Sequence, residues 1–236
     1  MKNRMIVIGG LKGVGKDTTA GMLQYLINSP KFLHSYKLYK IIGRFFTRPY
    51  KVTSFAYPLK KTLATFLNID DNLLNNRAFK ENTYIYCPTL TITNSPEDKK
   101  RIISDYKFNK YLSQNNYSFL QDSYITIRQL LQCFGTDIMR KFFGDKIWII
   151  STFKQENIII SDLRFKVEAE EAKKENAFLI YISRPMCSPG NHQSEKEVIE
   201  LYKSNKFDYV INNDGTLEDL FYKVKQLVYE NKPIAQ

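Results

Sequence analysis

Apolar positions along the chain follow two rhythms. Ile6-Val7-Ile8 and Ile158-Ile159-Ile160 are continuous apolar runs. A run without alternation suits a parallel strand covered on both faces. Strands are predicted over Arg4–Gly9, Val52–Ala56, Asn157–Ser161, Ala177–Ser183 and Tyr209–Asn212. Between them apolar residues recur at helical steps. One helix is predicted from Lys16 to Ile27. Another opens at Pro58 and carries Leu59, Leu63, Phe66 and Leu67 on one face. A charged helix follows over Val167–Asn176, and a last one starts near Thr216 with Leu217, Leu220, Phe221, Val224, Leu227 and Val228 on one side. Thr126 and Gln129 have capping-box spacing, so a helix starts there too. Its face is Ile127, Leu130, Leu131 and Phe134, and Gly135 interrupts the run.

Strands alternating with helices predict an α/β fold. The expectation is three layers, a parallel sheet of about five strands flanked by helices, in a single domain over 1–236. Between 68 and 122 the rhythm weakens. That stretch is rich in Asn, Tyr, Lys and Asp, contains Pro88 and Pro96, and is expected to be an insert or lid-like subdomain. Arg184–Glu195, with Pro185, Pro189 and Gly190, reads as a loop.

Composition narrows the class. Apolar residues make up 43% of 236 residues, enough for a globular core. No apolar run approaches the roughly 18 to 20 residues of a membrane helix. The first run, Met5–Ile8, is too short for a signal peptide, so a cytoplasmic location is expected. Cys87, Cys133 and Cys187 are isolated, and His34 and His192 lack ligand spacing, which predicts reduced thiols and no zinc site. The net charge of +11 admits two partners, nucleic acid or small polyanionic substrates. The lysines are spread out with no block of five like charges, so no nucleic-acid tail is indicated.

The sharpest motif is Gly10-Leu11-Lys12-Gly13-Val14-Gly15-Lys16-Asp17-Thr18. It follows a buried strand and opens a helix, as a phosphate-binding loop must. Glycines let backbone N–H groups turn towards phosphate oxygens, and the helix N-terminus adds positive potential. Gly13, Val14, Gly15, Lys16, Asp17 and Thr18 are therefore expected to hold ATP, with Lys16 on the β- and γ-phosphates. Asp17 stands where Ser or Thr usually follows the lysine. A carboxylate there can reach Mg2+ directly or through water, so Asp17 and Thr18 both remain candidate ligands. Asp162 ends a strand and is the third candidate for magnesium.

Other P-loop chemistries fit less well. Asn109-Lys110 is followed by Tyr111-Leu112, so the guanine motif of GTPases is absent. Asp162 is followed by Leu163 instead of the water-activating glutamate of ATP-driven motors. A kinase acting on a phosphate acceptor needs no strong base; it needs positioning and positive charge. Lys12, Lys60, Arg77, Arg128, Arg140, Arg164 and Arg184 are the candidate cations. Arg128 and Gln132 share a helix face, which suits gripping a phosphate or base edge and equally suits a solvated surface. Arg164 and Glu168 follow the end of a strand, where open α/β sheets place their sites, and a surface ion pair is the simpler alternative.

With these pieces assembled, the chain resembles the bacteriophage deoxynucleoside monophosphate kinases. The resemblance rests on Gly15-Lys16-Asp17-Thr18, Phe55-Ala56-Tyr57-Pro58-Leu59-Lys60, Arg128-Gln129-Leu130-Leu131-Gln132, Gly135-Thr136-Asp137, Trp148, Asp162 and Arg164 with Glu168, Arg184-Pro185, and Asn213-Asp214-Gly215-Thr216. It implies phosphorylation of deoxynucleoside monophosphates by ATP with Mg2+. It implies that Lys12, Lys60, Arg128, Gln132, Gly135, Thr136 and Trp148 serve the acceptor nucleotide, and Arg77 is counted with them. Asn213 and Gly215 would pass the adenine, while a turn with a helix cap explains that loop as well. Arg184, in a lid over 184–197, would join Lys16, Asp17, Arg128, Asp162, Arg164 and Glu168 in catalysis. A homodimer, no stable nucleic-acid partner, no membrane and the cytoplasm of a bacterial host are the remaining implications. A P-loop kinase for another phosphorylated metabolite, and a basic ATP-binding protein acting on nucleic acid, are the alternatives.

Overall fold

The computed structural model describes residues 5–114, 118–185, 187 and 193–230. In chain order its main elements begin with β1 (Met5–Gly9), α1 (Lys16–Asn28), α2 (Tyr36–Ile42), β2 (Lys51–Thr53), α3 (Tyr57–Leu67) and α4 (Arg77–Asn82). Next come β3 (Tyr84–Tyr86), β4 (Thr91–Thr93), α5 (Asp105–Ser113), β5 (Tyr124–Thr126) and α6 (Ile127–Gln132). A π-helical stretch, Cys133–Arg140, continues α6 into α7 (Lys141–Phe143). The chain ends with α8 (Ile147–Phe153), β6 (Ile158–Leu163), α9 (Lys166–Lys174), β7 (Phe178–Ser183), α10 (Gln193–Lys203), β8 (Tyr209–Asn212) and α11 (Leu217–Glu230). It forms two compact units. One comprises 1–55 and 149–236, the other 56–148.

The first unit is built on a parallel sheet in the order β2-β6-β1-β7-β8. β1 lies at its centre, with Val7 opposite Ile160 of β6 and Leu179 of β7. The uninterrupted apolar run of β1 has a direct cause. Ile6 and Ile8 pack with Leu23 and Leu26 of α1 and with Phe221 and Val224 of α11. Met5 and Val7 point the other way, into a cluster with Ile160, Leu179, and Ala169 and Ala172 of α9. Alternate side chains of a strand point to opposite faces, so two covered faces leave no polar position. The chain order reverses on either side of β1, and the loop after its carboxyl end lies at that switch point, the usual ligand position in open α/β sheets.

The second unit holds a three-stranded antiparallel sheet, β4-β3-β5, with α3 to α7. Leu63, Leu67, Leu74, Ile85 and Ile127 form one core cluster, and Phe108, Ile125 and Cys133 a second. Burial pushes the thiols of Cys87 and Cys133 up to about 11. This unit extends beyond 68–122 on both sides, because α3 and α6 have ordinary amphipathic composition and no compositional shift marks them.

Several local expectations change. β2 is only three residues long, since pairing with β6 stops at Thr53 opposite Ile160. Gly135 does not end its helix. The helix widens into the π stretch there, and a Cβ at Gly135 would lie 2.6 Å from Leu59 Cδ2, so close packing on α3 explains the glycine. The strands of the second unit are three residues each, too short to show alternation, and were not expected. The capping box on Thr126 is present: Gln129 N–H donates to Thr126 Oγ1 at 3.1 Å and Thr126 N–H to Gln129 Oε1 at 2.8 Å.

Candidate active site

The loop between β1 and α1 takes its shape from three glycines in the left-handed region, Gly10 (φ 146°), Gly13 (φ 82°) and Gly15 (φ 97°). Gly10 is the most constrained, since a Cβ would meet the carbonyl oxygen of Ile182 at 2.4 Å. Lys16 folds back along this loop. Its Nζ donates to the carbonyls of Gly10 at 2.9 Å and Leu11 at 2.6 Å. Its pKa is lowered, first by burial and then by the charge of Arg164, while Asp17, Asp162 and Glu195 act in the opposite direction. Arg164 is therefore near enough to bear on the loop lysine, although its own side chain is exposed.

Carboxylates gather at the same strand ends. Asp17 accepts a hydrogen bond from Ser161 Oγ at 2.7 Å. Asp162 Oδ1 accepts the backbone N–H of Phe55 at 2.8 Å, which ties the end of β6 to the segment after β2. Glu168 is buried and accepts the backbone N–H groups of Arg164 at 2.8 Å and Phe165 at 3.0 Å. It thus fixes the turn that presents Arg164.

Asn213 is buried. Its Nδ2 donates to the carbonyl of Val14 at 2.9 Å, and its backbone N–H donates to Ser183 O at 2.8 Å. A Cβ on Gly15 would lie 2.8 Å from that amide, so asparagine and glycine form one close contact. Gly215 is exposed, and Thr216 with Asp219 caps α11 through reciprocal bonds of 2.8 and 3.2 Å. Lys12 is exposed on the loop. Arg184 is exposed after β7, and residues 193–197 belong to α10. The rest of the expected lid, 186 and 188–192 including His192, lies outside the described residues.

The second unit holds its own set. Glu81 is shared by two arginines: Arg77 Nε lies 3.0 Å and Arg128 Nη2 3.0 Å from its Oε1. Those bonds, Arg77's first, hold the Glu81 carboxyl below its ordinary pKa. Lys60 Nζ donates to Asn75 Oδ1 at 2.9 Å. Gln132 and Thr136 are exposed, and Gly135 is buried. Trp148 is 6% exposed, and its indole N–H donates to Gly135 O at 2.9 Å. Its place is thus set by a bond to the π stretch.

The candidates thus fall into two sets. Gly13 to Thr18, Asp162, Arg164, Glu168, Arg184, Asn213 and Gly215 belong to the first unit, with Lys12. Lys60, Arg77, Arg128, Gln132, Gly135, Thr136 and Trp148 belong to the second. Sequence reasoning missed Ser161, which holds Asp17, and Glu81, which joins two arginines. Ser161 had one signal, its place at the polar end of a buried run. Glu81 had none beyond its spacing of four from Arg77.

The sequence model for "Deoxynucleotide monophosphate kinase" matches residues 4–224. The chain belongs to the deoxynucleotide monophosphate kinase family. It is accordingly a phosphotransferase. The deoxynucleotide monophosphate kinase of Escherichia phage RB69 is 26% identical over 95% of this chain and 99% of its own. That of Enterobacteria phage T4 is 24% identical over 94% of this chain and 97% of its own. A solved structure of shikimate kinase from Acinetobacter baumannii, in complex with shikimate, shares 11% identity at a TM-score of 0.39, covering 98% of this chain and 94% of that one. Among the described residues no helix is long and apolar enough to cross a membrane.

The donor set suits a hard divalent cation. Asp17 has one carboxylate oxygen on Ser161, and its other oxygen and the Thr18 hydroxyl make no bond among the described residues. No cage of three His, Cys, Asp or Glu side chains exists among those residues. Magnesium is usually held by one or two protein oxygens and completed by substrate phosphates and water.

Proposed function

We propose that this kinase transfers the γ-phosphate of ATP to the 5′-phosphate of a deoxynucleoside monophosphate, giving ADP and a deoxynucleoside diphosphate. The observation that carries the reading is the family match across 4–224, which includes the phosphate loop and every candidate residue of both units. The loop amides and Lys16 hold the donor phosphates. Lys16 can leave the carbonyls of Gly10 and Leu11 for phosphate oxygens, exchanging neutral acceptors for charged ones, which form stronger hydrogen bonds. Asp17, Thr18 and Asp162 would hold Mg2+, which supplies neutralisation of charge on the phosphates.

The acceptor phosphate is already an anion near neutral pH, so the protein has little proton transfer to do. Arg164, on the turn fixed by Glu168, and Arg128 stabilise charge on the transferred group, and Arg184 adds to them from the segment after β7. Lys12, Lys60, Arg77, Gln132, Gly135, Thr136 and Trp148 are assigned to the acceptor nucleotide. Asn213 supports the loop backbone, and Gly215 borders the adenine. The chain acts in the host cytoplasm, with Mg2+ and ATP and with no stable nucleic-acid partner; a homodimer is its proposed assembly.

The test is initial-rate ADP release with ATP, Mg2+ and each of dAMP, dGMP, dCMP, dTMP, GMP and UMP. Turnover on at least one deoxynucleotide, well above the ribonucleotides, is expected. An enzyme that binds ATP but turns over none of the six would overturn the reading.

A further inference from the structure

We infer that Ser161 is a positioning residue for Asp17, aiming its carboxylate at the metal, and so sets how strongly ATP binding depends on Mg2+. The inference rests on the magnesium reading above. The loop side of such a site usually supplies a hydroxyl, from the Ser or Thr after the lysine, and a strand supplies a carboxylate. Here the loop side supplies a carboxylate, Asp17 in the first turn of α1, and the strand answers it with a hydroxyl, Ser161 of β6. Ser161 Oγ donates to Asp17 Oδ1 at 2.7 Å, across 144 positions.

The strand is shaped for this contact. β1 and β6 pair at Val7 with Ile160 and next at Gly9 with Leu163. β6 thus fits Ser161 and Asp162 where β1 has Ile8 alone, and a bulge of this kind re-aims side chains. Ser161 meets Asp17, while Asp162 takes the Phe55 N–H after β2. Ser161 is buried and Asp17 is exposed, so a hydroxyl rooted in the core holds a carboxylate at the surface. Without that bond Asp17 would turn among its rotamers, and ordering it would weaken metal binding. A carboxylate in place of a neutral hydroxyl also repels the phosphates of ATP until a cation lies between them. Asp17 therefore makes ATP binding depend on the metal, and Ser161 fixes the geometry in which it does so.

The experiment measures ATP dissociation constants by calorimetry, with Mg2+ and with EDTA. It uses the unmodified enzyme, Asp17→Asn, Ser161→Ala, Ser161→Cys and Ser161→Thr, and the ligand-free thermal midpoint of each. The unmodified enzyme should bind ATP more tightly with Mg2+. Asp17→Asn should lose that gain, and should bind metal-free ATP at least as tightly as the unmodified enzyme. For Ser161→Ala the gain should shrink about 10-fold, the scale of a lost hydrogen bond to a charged group, with metal-free affinity held within about two-fold. Ser161→Cys keeps the volume but is a weak donor, so it should follow Ser161→Ala even if the alanine variant packs badly. Ser161→Thr, which keeps the hydroxyl, should restore the gain. A full gain in Ser161→Ala or Ser161→Cys, with none in Asp17→Asn, would overturn the inference and leave the magnesium reading standing. Equal weakening of ATP with and without Mg2+, with a lower midpoint, would make Ser161 scaffolding and overturn it too. A full gain in Asp17→Asn would remove Asp17 from the metal and take the inference with it. No acceptor enters the measurement, so the identity of the deoxynucleotide does not bear on the result.

Discussion

The phosphate loop and the cation cluster of the second unit handle negative charge by different means. In the loop the donors at hand are backbone N–H groups, the exposed Lys12, and Lys16, which is kept in place by carbonyls six and five residues away. Around it four polar groups have partners: Asp17 in Ser161, Asp162 in Phe55 N–H, Glu168 in two amides, and Val14 O in Asn213. In the second unit the donors are long side chains, two of which, Arg77 and Arg128, share the carboxylate of Glu81. The first design is rigid before ligand arrives, since backbone donors on a strand-loop-helix turn have little freedom to lose. The second depends on long side chains that can rearrange. Preorganised dipoles suit the group that reacts, where reorganisation would raise the barrier. Flexible cations suit a substrate that must be taken up and released.

Substitutions in each region can break this contrast. The largest effect is expected for Arg164→Leu, with kcat falling by about 10³-fold while ATP still binds, as when an arginine that stabilises the transferred phosphoryl group is lost. A near-normal kcat in a folded variant would remove Arg164 from the chemistry. Arg128→Met should raise the deoxynucleotide KM by about 10- to 100-fold and lower kcat, since a charge-assisted donor is lost. If instead the KM of ATP alone moved, the division of labour between the units would be wrong.

Asn213→Ala should cost about 1 to 3 kcal/mol in stability by leaving the carbonyl of Val14 without its buried partner. It should also raise the KM of ATP more than that of the deoxynucleotide. Urea unfolding and a pair of KM values would show it, and equal effects on both substrates would argue against a preorganised loop. The smallest effect concerns His34, whose ring bonds Tyr229 Oη at 2.8 Å and Ser29 O at 3.0 Å. Burial, with Lys225 and Lys31 nearby, lowers its pKa. The unfolded chain therefore takes up this proton first as the pH falls. Stability should drop from about pH 6.5, the ordinary histidine value, down to the lower folded pKa, and level off below it. Thermal midpoints between pH 5 and 7.5 should slope less in His34→Asn than in the parent, and parallel slopes would contradict this.

Much of the first unit was legible because its signals are local. Nine consecutive residues carry the phosphate loop, and a strand buried on both faces writes an unbroken apolar run. The capping box at Thr126 was visible for the same reason, since both bonds span three residues. The shift of helix geometry at Gly135 was not visible, because the glycine answers to Leu59, a residue on another helix. In the sequence Asn213 reads as part of an adenine loop or of a turn with a helix cap, yet its bond to Val14 spans 199 positions and has no sequence signature.

What the sequence by itself determined is the fold class, the phosphate loop and the membership of the residues that surround it, because strand burial, glycine conformation and helix periodicity act between near neighbours. Only the tertiary structure decided which charges share a carboxylate. Arg128 meets Glu81 across 47 positions. Coulomb energy depends on distance and burial in space, and neither is written in the order of residues.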